Sequence, residues 1–252
     1  MPLRGQDFKA LVLSFIFALC FCQPLNAHQS PSEMLQISDR SRGGLSQGVV
    51  WKLNLISKDA GTENQFEYEV KVKNSQAIAK CLAPARSKNE VYLFLDRNLW
   101  MYRPGLRKAL SLSTRQKLSG QAANGDIANT NYARDYSATL LGEEVIDKKR
   151  TFKLKLKAKS DDLTYDQIIY WISQDKLLAV KADFLSVDGQ VFKSAVFNYE
   201  NSIQVEGKSL PFVSRMLITD AKNPKLVSEL NYSQIKIENL SDSEFNVNNL
   251  SK

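Results

Sequence analysis

The strongest constraint on the fold of this chain is a period-two alternation of apolar and charged residues that begins at Val49. In residues 66–73 every second position is Phe, Tyr or Val, and each position between them is Glu or Lys. Residues 152–157 alternate Phe or Leu with Lys in the same way, and residues 51–55 repeat the spacing. Successive side chains of a β-strand point to opposite faces, so this pattern predicts strands with one buried and one solvated face.

Similar short runs predict a long antiparallel meander over most of the chain. The further candidate strands are residues 75–82, 90–96, 99–103, 106–112, 136–146, 166–173, 177–186, 190–200, 210–219 and 226–237. Asp188 and Gly189 separate two of these runs. An Asp-Gly pair favours a tight hairpin turn, because glycine adopts positive φ at low cost.

Helix signals are few and short. Ser30, Pro31 and Glu33 form a capping pattern ahead of an apolar stretch that Gly43 ends, which predicts one amphipathic helix. A capping signal at 113–116, with Gly120 as the stop, predicts a second short helix, and a third is expected at 126–133. We therefore expect a mainly β (α+β) fold, in which a strongly curved antiparallel sheet has a few short helices covering its concave apolar face.

The N-terminus has the composition of a secretory signal. Two basic residues precede an apolar run at 10–22, and a short polar stretch leads to Ala27. The run is shorter than the roughly 20 residues that a membrane-spanning helix needs. We predict a signal peptide over residues 1–27, cleaved near Ala27, and one domain over residues 28–252 that folds outside the inner membrane.

The titratable residues give no support for catalysis. His28 is the only histidine and falls at the predicted mature N-terminus, which excludes a histidine-based triad or metal cluster. Cys20 and Cys22 leave with the signal, so Cys81 is expected to be a buried, unpaired thiol. We predict a binding protein with no catalytic residue, no metal site and no cofactor.

Large aromatic residues in the alternating strands are the candidates for a ligand site. A curved sheet lined by such groups and covered by short helices tends to enclose a cavity, and barrel mouths are frequent ligand sites. The predicted cavity residues are Trp51, Phe66, Tyr68, Trp100, Tyr102, Trp171, Phe184, Phe197 and Phe212.

An ordered series of motifs extends over nearly the whole predicted mature chain. It comprises LWMYRPGLR at 99–107, QKLSGQ at 116–121, the stretch from Gly125-Asp126 to Asn131-Tyr132, Asp135-Tyr136, LTY at 163–165, IYWI at 169–172, Asp188-Gly189 and Lys193. Together these motifs resemble the LolA-like family of outer-membrane lipoprotein-sorting proteins. The resemblance implies an unclosed β-barrel of about eleven strands, whose apolar interior accepts acyl chains of lipids or lipoproteins in the periplasm of a Gram-negative bacterium.

Basic residues suggest how such a protein meets its partners. The formal net charge is +7, which outside the cytoplasm favours anionic lipid head groups or an acidic protein face over nucleic acid. Arg103, Arg107, Lys108 and Arg115 flank a Pro-Gly bend and a predicted helix start, and we expect them at the rim of the cavity.

Three classes of function remain open from the sequence. The leading hypothesis is a carrier or chaperone with transient membrane contact, serving an outer-membrane acceptor or, as this branch of the family implies, an inner-membrane exporter of the resistance-nodulation-division class. The second is a lipid-sensing regulator of the RseB type. The third, an enzyme, has little support because histidines are missing.

Overall fold

The computed structural model describes residues 29–59, 61–128 and 131–250. The predicted signal peptide at 1–27, its cleavage point and His28 lie outside the described residues. None of the helices within these ranges is long and apolar enough to cross a membrane.

Antiparallel strands form most of the described chain. The strands are β1 (Gly48–Asp59), β2 (Thr62–Lys73), β3 (Gln76–Ala83), β4 (Val91–Leu95), β5 (Asn98–Tyr102), β6 (Leu110–Leu112), β7 (Lys117–Ser119), β8 (Ala122–Ala123), β9 (Tyr136–Ile146), β10 (Lys149–Ala158), β11 (Gln167–Ser173), β12 (Ala179–Leu185), β13 (Val191–Asn198), β14 (Asn201–Val205), β15 (Lys208–Phe212), β16 (Arg215–Asp220) and β17 (Val227–Glu238). Thirteen of them form one sheet in the order β6-β5-β4-β3-β2-β1-β17-β16-β13-β12-β11-β10-β9. The pairs β7–β8 and β14–β15 stand apart as small ribbons. The sheet ends at β6 and β9, so the fold is the predicted unclosed β-barrel, with thirteen strands rather than about eleven.

Helices are short, as expected. The helices are α1 (Pro31–Arg40) and α2 (Tyr132–Asp135), with 3-10 helices at Ala85–Ser87, Asn124–Ile127, Asp242–Phe245 and Val247–Asn249. The predicted capping box of α1 is present: the Glu33 backbone N–H donates to Ser30 Oγ, and the Ser30 N–H donates to Glu33 Oε2. These bonds satisfy two N–H groups that would otherwise lack partners at the helix start.

Four sequence assignments need correction. In place of a helix over 126–133, the structure has a 3-10 helix that ends at Ile127 and the helix α2 that begins at Tyr132. The segment 113–120 is a turn followed by β7 instead of a helix, because Ser113 Oγ accepts from the Arg115 N–H two residues on and forms a local turn. Only residues 110–112 of the predicted strand 106–112 are extended. The predicted strand 210–219 is divided between β15 and β16, and β14 was missed.

The sheet has two differently covered faces. Alternate residues such as Leu53, Leu55, Leu154 and Leu156 point to the concave face and form the main core cluster. A smaller outer cluster on the convex face joins Val50, Leu93, Leu240 and Phe245, where the two C-terminal 3-10 helices cover the sheet.

The barrel has two ends, which the strand register defines. We call the upper end the one that carries the turns at 147–148, 174–178 and 199–200. The lower end carries the turns at 103–109, 159–166 and 221–226. The predicted rim residues Arg103, Arg107 and Lys108 therefore lie at the lower end.

Candidate functional site

Most of the predicted aromatic residues lie in or against the main core cluster inside the barrel. Trp51, Tyr68, Phe184, Phe197 and Phe212 are buried in the main core cluster, and Phe66 is half-buried against it. Each shares strand parity with aliphatic residues of the same cluster, as Trp51 does with Leu53. This placement agrees with the sequence analysis, and contact with a ligand stays a prediction.

These side chains contact one another across strands. The rings of Trp51 and Phe212 lie 5.8 Å apart between centroids, and those of Tyr165 and Phe184 stack at 4.0 Å. Trp51, Tyr68, Phe184 and Phe212 are less than 2% exposed. These four aromatic side chains are therefore packed inside the barrel and shielded from solvent by other parts of the chain.

Trp100 and Tyr102 do not belong to this surface, contrary to the sequence expectation. Trp100 packs against the outer cluster, while Leu99 belongs to the main core and Met101 packs against it. Tyr102 is half-buried and shares the convex face with Trp100 by strand parity. Strand parity shows that these two aromatic residues share a face of the sheet. It does not show whether that face is the concave or the convex one.

Trp171 also lies on the convex face, because Tyr170 and Ile172 point into the main core. Its Nε1–H donates to Glu144 Oε2 at 2.9 Å. Lys181 Nζ lies 4.5 Å and Lys153 Nζ 5.3 Å from the ring centroid, as in cation–π contacts. These contacts bury Trp171, which is 4% exposed, in a polar cluster on the convex face and outside the main core cluster.

The predicted rim residues divide into two kinds. Arg107 and Lys108 are exposed at the lower end, and Arg103 NH1 reaches Glu90 only at 4.0 Å. Arg115 instead donates to both carboxylate oxygens of Asp166 at 2.9 and 2.8 Å. This pair lowers the pKa of Asp166 and makes Arg115 a structural link.

Two segments fill the concavity: helix α1 and the described part of residues 113–135. Together we call them the plug. Met34 and Leu35 of α1 and Ile127, Ala128 and Tyr132 of the second segment are buried in the main core cluster. Their apolar side chains occupy the space that the curved sheet encloses.

A buried ionic cluster connects the plug to the sheet. Asp126 of the plug accepts hydrogen bonds at its carboxylate from the Tyr165 hydroxyl at 2.6 and 2.8 Å and from the Ala123 N–H at 2.8 Å. Lys193 Nζ of β13 lies 3.2 Å from Asp126 Oδ2 and donates to the Gln121 carbonyl at 2.8 Å. The side chains of Lys193 and Asp126 are only 5% and 3% exposed.

The sequence contains a signal for this cluster that the pattern analysis did not use. Lys193 occupies a concave-face position of β13, in line with buried Ala195 and Phe197. A lysine at the apolar parity of a strand is rarely buried without a partner. Its partner, Asp126, comes from a distant part of the chain, which strand patterns do not identify.

A second buried polar group joins α1 to the rest of the plug. Asp39 Oδ2 accepts from the Ala133 N–H at 2.8 Å. Burial raises the pKa of Asp39 to about 8, although Arg42 nearby favours its charged form. Arg42 donates to the Tyr170 hydroxyl at 3.2 Å and lies over the rings of Tyr132 and Phe197.

Serine contacts bind the plug to the lower part of the concave face. Ser57 Oγ of β1 and Ser119 Oγ of the plug are 2.6 Å apart, and the Gln121 N–H donates to Ser228 Oγ at 2.7 Å. Gly120 permits this approach, since it has φ +55° and a Cβ there would lie 2.4 Å from Ser228 Oγ. Polar bonds at several points therefore hold an otherwise apolar plug in place.

Comparison with known proteins places this architecture among related folds. A protein-family model described as "Uncharacterized protein" matches residues 73–252. No curated protein matches the chain by sequence. Among solved structures, a LolA superfamily protein from Nitrosomonas europaea is 29% identical, with 86% of this chain and 97% of that chain covered and a TM-score of 0.76.

Two further structures share the fold at lower identity. A domain described as an outer membrane lipoprotein-sorting protein from Vibrio parahaemolyticus is 18% identical, with 88% of this chain and 98% of that chain covered and a TM-score of 0.75. A DUF1329 family protein from Desulfovibrio piger is also 18% identical, with 87% and 97% covered and a TM-score of 0.74. These two similarities concern the fold alone.

Proposed function

This chain belongs to the LolA-like superfamily, and we propose that it is a periplasmic carrier or chaperone that binds acyl chains of lipids or lipoproteins inside its barrel. The proposal includes export through the signal peptide at residues 1–27. It describes a binding protein and not an enzyme.

One observation carries the proposal: an aromatic concave face is covered by a plug that polar bonds attach to the sheet. Outside the plug, antiparallel hydrogen bonding joins all thirteen strands of the sheet, so the barrel wall is continuous without it. The plug contributes its own apolar side chains to the core and is bonded to the wall by Lys193, Ser57 and Ser228. An acyl chain can therefore replace the plug in the barrel interior without any change in the strand pairing of the sheet.

The energetics favour an exchange of this kind. Burying an acyl chain contributes about 0.8 kcal/mol per methylene. Releasing the plug exposes apolar side chains such as Met34, Leu35 and Ile127, so the cost of that exposure offsets part of the gain from the acyl chain. The strength of the polar bonds then determines how readily the plug yields to a ligand.

A reversible covalent lock tests this function. The Oγ atoms of Ser57 and Ser119 are 2.6 Å apart, close to the approach that a disulfide requires. We would prepare Ser57→Cys/Ser119→Cys in a Cys81→Ala background and titrate a fluorescent fatty acid in the oxidised and reduced forms. The reduced protein should bind the probe, and the oxidised protein should bind it at least ~10-fold more weakly, which corresponds to about 1.4 kcal/mol.

The two single-cysteine variants in the same background are the controls, because they cannot form the lock. Equal binding by the oxidised and reduced forms would show that the plug need not move. Absence of probe binding by the wild-type protein at micromolar concentration would contradict the carrier function itself. The regulatory hypothesis would then take its place.

A further inference from the structure

A second feature lies at the upper end of the barrel, away from the predicted rim residues. A groove of about 780 Å³, which we call the upper groove, runs between the turns at 147–148, 174–178 and 199–200. This volume is within the range of small-molecule sites. The turn at Asp147–Lys148 has positive φ at both residues, 47° and 67°, which is the tight hairpin geometry. Its tip carries one acidic and one basic side chain, and Lys149 and Arg150 follow it at the start of β10.

The upper groove is rich in basic side chains. Lys148, Lys149 and Lys176 line it, are exposed and have no ion-pair partner among the described residues. Arg150 also lines it and lies 3.4 Å from Glu143 Oε2.

Two carboxylates also line the groove. Asp175 is bonded by the Ser173 hydroxyl and by backbone N–H groups of its own turn, which lower its pKa. Glu200 is exposed at the groove margin. The four basic groups therefore outnumber the acidic ones, and one of the two acids is already bonded within its turn.

The floor of the groove reaches the core. Ala179 belongs to the main core cluster and Tyr199 packs against it, and both line the groove. Gln174 lines the groove as well, and its Nε2 is buried without an acceptor among the described residues. An unpaired buried donor beside exposed ammonium groups suits an oxyanion with several acceptor oxygens.

We propose that the upper groove binds the phosphate group of an amphiphile whose acyl chain enters the barrel, with Lys148, Lys149 and Lys176 contacting the phosphate and Gln174 donating to it. This inference rests on the proposed carrier function for the chain part of the ligand. The phosphate part depends on the groove alone. Phosphate attached to a lipid and free phosphate share the recognition chemistry, so the test must separate them.

The test compares three probes that differ in one chemical part each: decyl phosphate, decanol and inorganic phosphate. The groove variant is Lys148→Glu/Lys149→Glu/Lys176→Glu. The matched control is Lys88→Glu/Lys222→Glu/Lys225→Glu, which makes the same change in net charge at exposed positions of the lower end. Binding to the folded proteins is measured by calorimetry and by phosphorus NMR at two salt concentrations.

We expect decyl phosphate to bind the wild-type protein more tightly than either other probe. The groove variant should lose at least ~10-fold in affinity for decyl phosphate, about the effect of one charge-assisted contact, and should bind decanol unchanged. The control variant should bind decyl phosphate within about twofold of wild type, since surface charges distant from the site act weakly at physiological salt.

Each of the other outcomes would overturn one part of the proposal, either the phosphate site or the carrier function. Equal losses in the two variants would mean non-specific attraction, and no loss in the groove variant would refute the phosphate site while leaving the carrier function intact. Inorganic phosphate bound as tightly as decyl phosphate would make the groove a site for free phosphate. If wild type bound neither decyl compound, the carrier function would fail, and the inorganic phosphate titration would decide whether the groove binds anions.

Discussion

Replacing Lys193 by methionine should strongly destabilise the protein although it leaves an apolar side chain of similar length. Lys193 Nζ lies 3.2 Å from Asp126 Oδ2, and both side chains are at most 5% exposed. The substitution leaves the Asp126 carboxylate buried with the Tyr165 hydroxyl and the Ala123 N–H as its remaining donors. The Gln121 carbonyl also loses its donor.

The magnitude follows from these contacts. At an effective dielectric constant of ~20, two unit charges this close attract by about 5 kcal/mol. Removing one partner of a buried pair typically costs about 3–5 kcal/mol. Because Asp126 keeps its other hydrogen bonds, we expect the free energy of unfolding to fall by about 3 kcal/mol, the smallest value in that range.

Urea unfolding followed by tryptophan fluorescence measures this change. The control is Lys58→Met, since Lys58 pairs with Glu63 at 3.6 Å on the surface with side chains 62% and 58% exposed. Such a pair is worth about 0–1 kcal/mol. Asp126→Asn and the double variant complete a cycle, in which the double variant should lose less than the sum of the singles. A Lys193→Met variant as stable as Lys58→Met would refute the reasoning.

Three further predictions concern single sites. Burial raises the pKa of Asp39 to about 8, so the stability that its bound proton contributes is present below about pH 4 and is lost as pH rises toward about 8. In urea unfolding, Asp39→Asn should therefore be more stable relative to wild type at pH 8 than at pH 4.5. Cys81 is buried and burial raises its pKa to about 11, so a thiol reagent should label it slowly unless denaturant is present. Trp100→Ala should speed proteolysis near Phe245 but leave acyl-probe binding unchanged, because both residues pack on the convex face.

The sequence predicted the wall of the barrel well, because strand periodicity is a local property. In β10 the residues Leu154 and Leu156 are buried while Lys155 and Lys157 are exposed, as the alternation requires. Pairing of β1 with β2 then places Leu55 opposite Phe66, so the concave face can be assembled strand by strand.

The plug and the outer cluster could not be predicted in this way. Their positions depend on contacts between distant segments, such as Asp126 with Lys193 and Trp100 with the outer cluster. Parity alone states that Tyr170 and Trp171 oppose each other, and it needs a known core residue to say which one points inward. The sequence analysis placed Trp171 in the cavity because it lies in a strand within a family motif, but Tyr170 is the one in the core.

The ionic cluster also predicts how the plug influences binding. If a ligand enters only when the plug is released, the measured dissociation constant is the intrinsic one divided by the fraction of open molecules. Lys193→Met removes a bond between plug and sheet and leaves the strand pairing of β13 unchanged, so it should raise that fraction. We expect Lys193→Met to lower the free energy of unfolding by about 3 kcal/mol. If about half of this amount lowers the free energy of plug release, the open fraction rises about 10-fold, and the apparent affinity for a fluorescent fatty acid rises equally. Lys58→Met should bind the probe as wild type does. A folded Lys193→Met protein with weaker probe binding would show that the plug is a permanent part of the core, and the acyl chain would then have to bind elsewhere.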